Sequence, residues 1–180
     1  GLDAIIDAAE ILQCRGCHNV KFVLIGQGSQ KDQLMGRVMS AGLKNVIFIE
    51  PLEKKALFEM LRSADLGLQI LANVPAFFEA TSPNKFFDYL SCGLPVLVNY
   101  PGWVANLLEE HACGFSVGAT NPEMLASQLA DLVTQPSKLN AMSKASLIVA
   151  KSFFDRELLA EKWVASVMLA APKRTAFSGN

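Results

Sequence analysis

Apolar residues recur at helical spacing from the first residues onward. Leu2, Ile5, Ile6, Ala9 and Leu12 fall on one stripe, which predicts an amphipathic helix over 2–14. A turn at 15–19 leads into VKFVLI (20–25), an apolar run too short for a helix and read as a buried strand. The alternation then repeats. Residues 30–41 predict a helix stopped at Gly42, 45–49 (NVIFI) a strand, 53–63 a helix and 65–71 (DLGLQIL) a third strand. No period runs through 72–82. A connection of about eleven residues is long for a compact α/β unit, which makes it a functional candidate.

The stretch 82–98, SPNKFFDYLSCGLPVLV, predicts a capped helix and then a buried strand. Ser82 is placed as the N-cap and Pro83 as the first helical residue, with Gly93 as a left-handed stop and Pro95 barring continuation. Helices at 102–111, 121–134, 136–150 and 155–169 and a short strand at 114–117 complete the reading. The domain spans 1–170, and 171–180 is predicted to be a disordered tail. Strands alternating with helices imply an α/β, Rossmann-like parallel sheet with helices on both faces. Such sheets bind ligands at the carboxyl ends of their strands, so the turns at 26–29, 50–52, 72–84 and 99–102 are the places to look.

Composition narrows the function. A chain of 180 residues, half of them hydrophobic, can build one sizeable core. A net charge of −1 argues against a general nucleic-acid binder. No apolar run reaches the roughly 18 residues of a membrane span and no signal peptide opens the chain, so a cytoplasmic protein is expected. Cys14, Cys17 and His18 spell C-R-G-C-H, half of a zinc site or a haem-attachment string. Cys92, Cys113 and His111 are too isolated to complete it, and the cysteines read as reduced packing residues. Asp65 and Asp155 read as helix caps, and Trp103 as packing. Gly26 and Gly28 lack the third glycine of a dinucleotide fingerprint and read as a tight turn near a ligand. There is no Asp-x-Asp metal motif.

Within 82–98, Phe86, Phe87 and Leu90 form the packing face, while Asn84, Lys85 and Asp88 share another stripe. Side chains lean toward a helix's N-terminus, which brings Asp88 back toward the free amides of Asn84 and Lys85. Amides, a lysine and a carboxylate in that order suit a molecule with a diphosphate and a vicinal diol. The same pattern also describes an ordinary capped helix with a solvated polar face.

Taken together, GLDAIIDAAEIL, FVLIGQGSQKDQL, NVIFIEPLEKKALFEMLRSADLGL, SPNKFFDYLSCGLPVLV and FFDRELLAEKWVASVM, in this order, resemble the C-terminal, donor-binding half of a GT-B glycosyltransferase of the retaining family 4 type. The resemblance implies that Asp88, where the family usually has Glu, accepts hydrogen bonds from the ribose hydroxyls of a nucleotide sugar, UDP-linked by expectation. It places the amides around Ser82, Pro83, Asn84 and Lys85 against the sugar and diphosphate, and the backbone of Ile49, Glu50, Pro51 and Leu52 against the base. Gly26 and Gly28 would lie nearby. Lys85 would stabilise the departing diphosphate. The family often carries an acidic residue eight positions before the ribose-binding one; here that position is Ala80, and Glu79 is expected to recover the role, with Thr81 and Ser82 as alternatives.

The resemblance further implies that the chain is half an enzyme. It would lack its first strand, an Arg- and Lys-bearing loop and an N-terminal acceptor-binding domain, and its last helix would cross to that domain. No metal or other cofactor is obligatory; the nucleotide sugar is a substrate. The expected product is a surface polysaccharide or lipopolysaccharide built on a glycan or lipid-linked acceptor, with peripheral membrane contact by the full-length enzyme and none with nucleic acid. The rival readings are a GT-B fold epimerase or phosphorylase and a non-enzymatic nucleotide-sugar module.

Overall fold

Helix α1 (Asp3–Cys14) buries Ile5, Ile6, Ala9 and Leu12 of the predicted stripe and Ala8 beside them, while Leu2 stands at the N-cap and is exposed. It stops where Gly16 N–H donates to the Gln13 carbonyl and Cys17 N–H to the Leu12 carbonyl, both at 2.9–3.0 Å. That pair of bonds is the backbone signature of a helix C-terminus, so the C-R-G-C-H string is spent on ending α1. The computed structural model describes residues 1–118 and 121–170, apart from the side chains of Glu79, Ala80 and Ala170. The expected disorder of 171–180 lies outside the described residues.

The chain continues as β1 (Phe22–Ile25), α2 (Lys31–Ser40), β2 (Val46–Ile49), α3 (Lys54–Arg62), β3 (Gly67–Gln69), α4 (Pro75–Ala80), α5 (Asn84–Ser91), β4 (Val96–Val98), α6 (Trp103–Glu110), β5 (Gly114–Ser116), α7 (Pro122–Leu132), α8 (Pro136–Phe153) and α9 (Arg156–Ala170). Two side-chain caps hold as their chemistry requires. Asn121 Oδ1 accepts from the amides of Glu123 and Met124 at the start of α7, and Asp155 Oδ1 accepts from those of Glu157 and Leu158 before α9. Asp65, expected to cap, makes no capping bond among the described residues; Ser63 closes α3 and Asp65 lies beyond it.

All strand pairs are parallel, as alternation predicts, but the sheet is divided. β1 pairs with β2 in the register Phe22↔Val46 to Ile25↔Ile49. β4 lies between β3 and β5, with Val96 opposite both Gly67 and Gly114. No ladder joins the two sheets among the described residues. They share a core nevertheless: Phe22, Ile70, Leu97 and Val117 pack with the buried stripe of α1 and with Leu125, Ala126 and Leu129 of α7. A second cluster, around Phe86, Leu90, Val96, Val98, Tyr100 and Leu108, joins α5, α6 and α8 to the other sheet.

Two surfaces stay apolar. Val23 and Ile47, opposite each other in β1 and β2, are 42% and 45% exposed. Helix α9 exposes Leu159, Trp163, Val167 and Met168.

Candidate functional site

Helix α5 starts one residue later than its sequence suggests. Pro83 has φ −73° and ψ 133°, extended rather than helical, so it is the N-cap and Asn84 the first helical residue. The proline ring fixes φ but leaves ψ free to stay extended, so Ser82 is pushed outside the helix, exposed and making no capping bond. Phe86 N–H donates to the Pro83 carbonyl at 3.0 Å and opens the hydrogen-bond ladder. The amides of Asn84 and Lys85 stand ahead of that ladder, at the positive end of the helix. At the other end, Gly93 takes the left-handed stop with φ 72°.

Packing fixes the rotation of α5. Phe86 and Leu90 are fully buried. The ring of Phe86 meets those of Phe87, Trp103 and Phe154 edge-on at 5.3, 5.7 and 6.1 Å. Asp88 is half-buried, and its carboxylate accepts no hydrogen bond from the described residues. Its charge reaches its neighbours, adding to the burial that raises the pKa values of Tyr89 and Cys92. Lys85 is exposed overall, and desolvation by its surroundings lowers its pKa below the usual lysine value.

The turns at the ends of β1 and β2 come together. Gly26, at φ 130°, donates its N–H to the Ile49 carbonyl at 3.0 Å. That carbonyl is therefore engaged in the fold, and Pro51 has no N–H to offer, so the main-chain groups left for a base in this turn are those of Glu50 and Leu52 and the Pro51 carbonyl. The Glu50 carboxylate is itself engaged, by Lys31 Nζ at 2.6 Å and by the Gln27 side-chain amide. Gly28 is exposed and outside the left-handed region, and its carbonyl accepts from Lys31 N–H at 3.1 Å in the tight turn that leads into α2. Lys31 and Gln27 were not identifiable from sequence, because the only cue was a lysine three residues after a glycine.

The long connection after β3 is not a bare loop. Residues 75–80 form α4, with Pro75 in its first turn. The backbone of Glu79 lies in this helix, while its side chain and that of Ala80 lie outside the described residues. The connection is fastened to the segment after β4. Asn99 binds Leu71 through both backbone groups, Phe78 stacks on Tyr100, and Trp103 Nε1–H donates to the Thr81 carbonyl. Two cavities lie elsewhere. One, of about 10 Å³, is bounded by Ala4, Ile70, Asn99, Val117 and Asn121, and the other is an open groove along α3 at Lys54, Phe58 and Arg62. Neither is lined by Asp88 or by the 49–52 turn.

Residues 1–147 match the family model of the glycosyl transferases group 1. The chain belongs to that family. The matched span holds every site residue named above. Among solved structures, this group 1 glycosyltransferase domain is similar to WaaG, a glycosyltransferase involved in lipopolysaccharide biosynthesis, at 22% identity and TM-score 0.70, covering 95% of this chain and 44% of that one. It is similar to Anabaena HepE in complex with UDP-glucose at 19% identity and TM-score 0.73, covering 95% and 45%. The C-terminal domain of LpcC from Francisella tularensis, also a group 1 family protein, matches at 16% identity and TM-score 0.67, over 87% of this chain and 80% of that one. At these identities the likeness is one of fold, the Rossmann-like GT-B arrangement of parallel strands and flanking helices. The chain spans less than half the length of the WaaG and HepE chains. No curated protein sequence matches it. Among the described residues of this glycosyltransferase domain, no helix is long and apolar enough to cross a membrane, and no group of three or more His, Cys, Asp or Glu side chains is placed to hold a metal ion.

Proposed function

We propose that residues 1–170 are the donor-binding half of a retaining glycosyltransferase that takes its sugar from a UDP-linked donor. The observation that supports this most is the combination on α5: a half-buried carboxylate, Asp88, without a hydrogen-bond partner among the described residues, one turn behind the leading amides of Asn84 and Lys85. A carboxylate accepts hydrogen bonds from the two hydroxyls of one diol, and helix-end amides donate to a diphosphate. In this reading Asp88 holds the ribose, Asn84 and Lys85 meet the diphosphate, and the Glu50 and Leu52 backbone faces the base, with Gly26 and Gly28 shaping the adjoining turn. Segment 71–84, with Glu79, Thr81 and Ser82, faces the sugar.

Catalysis consists of stabilising the departing diphosphate by amides and cationic side chains that are already oriented. An acceptor-binding domain outside this chain supplies the glycan or lipid-linked acceptor, and closure of the two excludes water. The absence of a ladder joining the β1–β2 and β3–β4–β5 sheets among the described residues suits a further parallel strand, and exposed Val23 and Ile47 suit a surface that another segment covers. The likeness to WaaG supports a role in lipopolysaccharide or surface polysaccharide assembly, and the likeness to HepE, seen with UDP-glucose, supports a UDP-linked donor.

Titration of UDP against the wild type and Asp88→Ala tests the assignment. Loss of a charge-assisted acceptor costs about 1.5–3 kcal/mol of binding. Equal affinity of a folded variant and the wild type refutes the site. Nucleotide binding with no transfer by the full-length protein favours a non-enzymatic module.

A further inference from the structure

We propose that Asn99, Tyr100 and Trp103 are positioning residues that strap the connection between β3 and α5 into the shape it needs to grip the sugar of the donor. The inference rests on the donor-binding reading above and adds to it the device that orders the sugar side of the site. Three contacts, one at each end of the connection and one in its middle, carry it.

At the near end the Asn99 side chain acts as a piece of strand. Leu71 N–H donates to its Oδ1 at 2.8 Å, and its Nδ2 donates to the Leu71 carbonyl at 2.8 Å. Asn99 is 4% exposed, so this paired amide is shielded from water that would compete for it. In the middle, the ring of Phe78 on α4 lies nearly parallel to that of Tyr100, with centroids 6.0 Å apart and planes at 13°. A six-residue helix does not hold itself in water, so this contact supplies tertiary support that α4 lacks on its own. At the far end, Trp103 Nε1–H donates to the Thr81 carbonyl at 3.2 Å, while its ring stands edge-on to Phe86 at 5.7 Å and 88°. The indole thus ties Thr81, near the end of the connection, to the packing face of α5.

All three anchors come from one short stretch that follows β4, and all three partners come from the connection after β3. The two bonded partners are main-chain groups, so the strap sets backbone course whatever side chains stand between. Residues 72–77, between the first two anchors, are exposed; Val74 N–H donates to the Ala72 carbonyl and Phe77 N–H to the Val74 carbonyl, and the Asn73 side chain makes no hydrogen bond among the described residues. Ordering the backbone before the donor arrives removes part of the entropic cost of binding it. The effect is specific to the part of the donor that touches this connection, which is the sugar and not the nucleotide.

The test is calorimetric titration of this chain with UDP, UDP-glucose, UDP-galactose and UDP-N-acetylglucosamine, in the wild type, Trp103→Phe and Met142→Ala. Trp103→Phe keeps a ring against Phe86 and removes the indole N–H. Met142, buried in α8 away from the connection, reports general destabilisation. We expect the wild type to bind one UDP-sugar more tightly than UDP, and Trp103→Phe to lose roughly tenfold of that advantage. UDP affinity in Trp103→Phe and the sugar advantage in Met142→Ala should both be kept. If Trp103→Phe weakens UDP and UDP-sugar equally, or changes neither, the strap is structural only, and the donor reading stands. The strap is equally overturned if the wild type binds UDP yet no UDP-sugar more tightly. Failure of the wild type to bind UDP defeats the donor reading and this inference with it. If Trp103→Phe does not fold, Asn99→Asp, which keeps the acceptor and loses the donor, decides by the same comparison.

Discussion

The ring of Tyr89 occupies the space above Gly67. A Cβ built on Gly67 would stand 2.6 Å from Tyr89 Cδ2 and 2.7 Å from Cγ. The absence of a side chain on β3 is what lets α5 settle this closely on the strand, with the Tyr89 hydroxyl 3.4 Å from the Leu68 carbonyl. The helix that carries Asp88 is therefore held down by a glycine on the strand below it.

Gly67→Ala should accordingly destabilise the fold by about 1–3 kcal/mol, since the ring or the helix must move. Urea unfolding measures it. Tyr89→Leu in the Gly67→Ala background should cost less than in the wild type, because the smaller side chain vacates the space the new methyl needs.

The order of elements was legible because each is short, strongly periodic and punctuated by Gly, Pro or Asn. The Leu2-to-Leu12 stripe and the VKFVLI and NVIFI runs left little choice of structure. What escaped was fixed by partners far along the chain. α4 has a weak local pattern, PAFFEA, and stands because Phe78 meets Tyr100. The start of α5 depends on the ψ of Pro83, which no ring constraint sets. Asn99 and Trp103 act on backbone groups 28 and 22 residues away, and a backbone partner leaves no mark in a sequence. The chemistry of the Asn84, Lys85 and Asp88 stripe was readable as a pattern, whereas the engagement of Glu50 by Lys31 and Gln27 was not.

Gln69 and Tyr100 form a buried polar pair with one loose end. The Gln69 amide donates to the Tyr100 hydroxyl, while its Oε1 is buried without a partner, and burial raises the tyrosine pKa. Tyr100→Phe alone leaves the whole amide unpaired and should cost about 1–3 kcal/mol. Gln69→Met with Tyr100→Phe should return most of that loss, because no orphaned polar atom remains. Comparative urea melts of the single and double variants give the answer.

Lys85 should make nucleotide binding depend on alkaline pH. Desolvation lowers its folded-state pKa below 10.5, so burial disfavours the charged form. That penalty acts on the folded chain while the lysine is charged and is relieved as pH rises through the lowered value. An incoming diphosphate favours the charged form, so Lys85 takes up a proton as the nucleotide binds. Affinity for UDP should therefore fall as pH rises through the lowered pKa, and Lys85→Met should flatten the profile. Calorimetry in two buffers of different ionisation enthalpy detects the proton.

The claim that Asp88 grips the ribose is tested most directly by removing the hydroxyls from the ligand and the carboxylate from the protein in one cycle. UDP and 2′,3′-dideoxy-UDP are titrated against the wild type and Asp88→Ala. The account predicts that the wild type prefers UDP by roughly 10- to 100-fold, as expected for charge-assisted hydrogen bonds, and that Asp88→Ala binds the two ligands equally. A preference for UDP that survives intact in folded Asp88→Ala contradicts it.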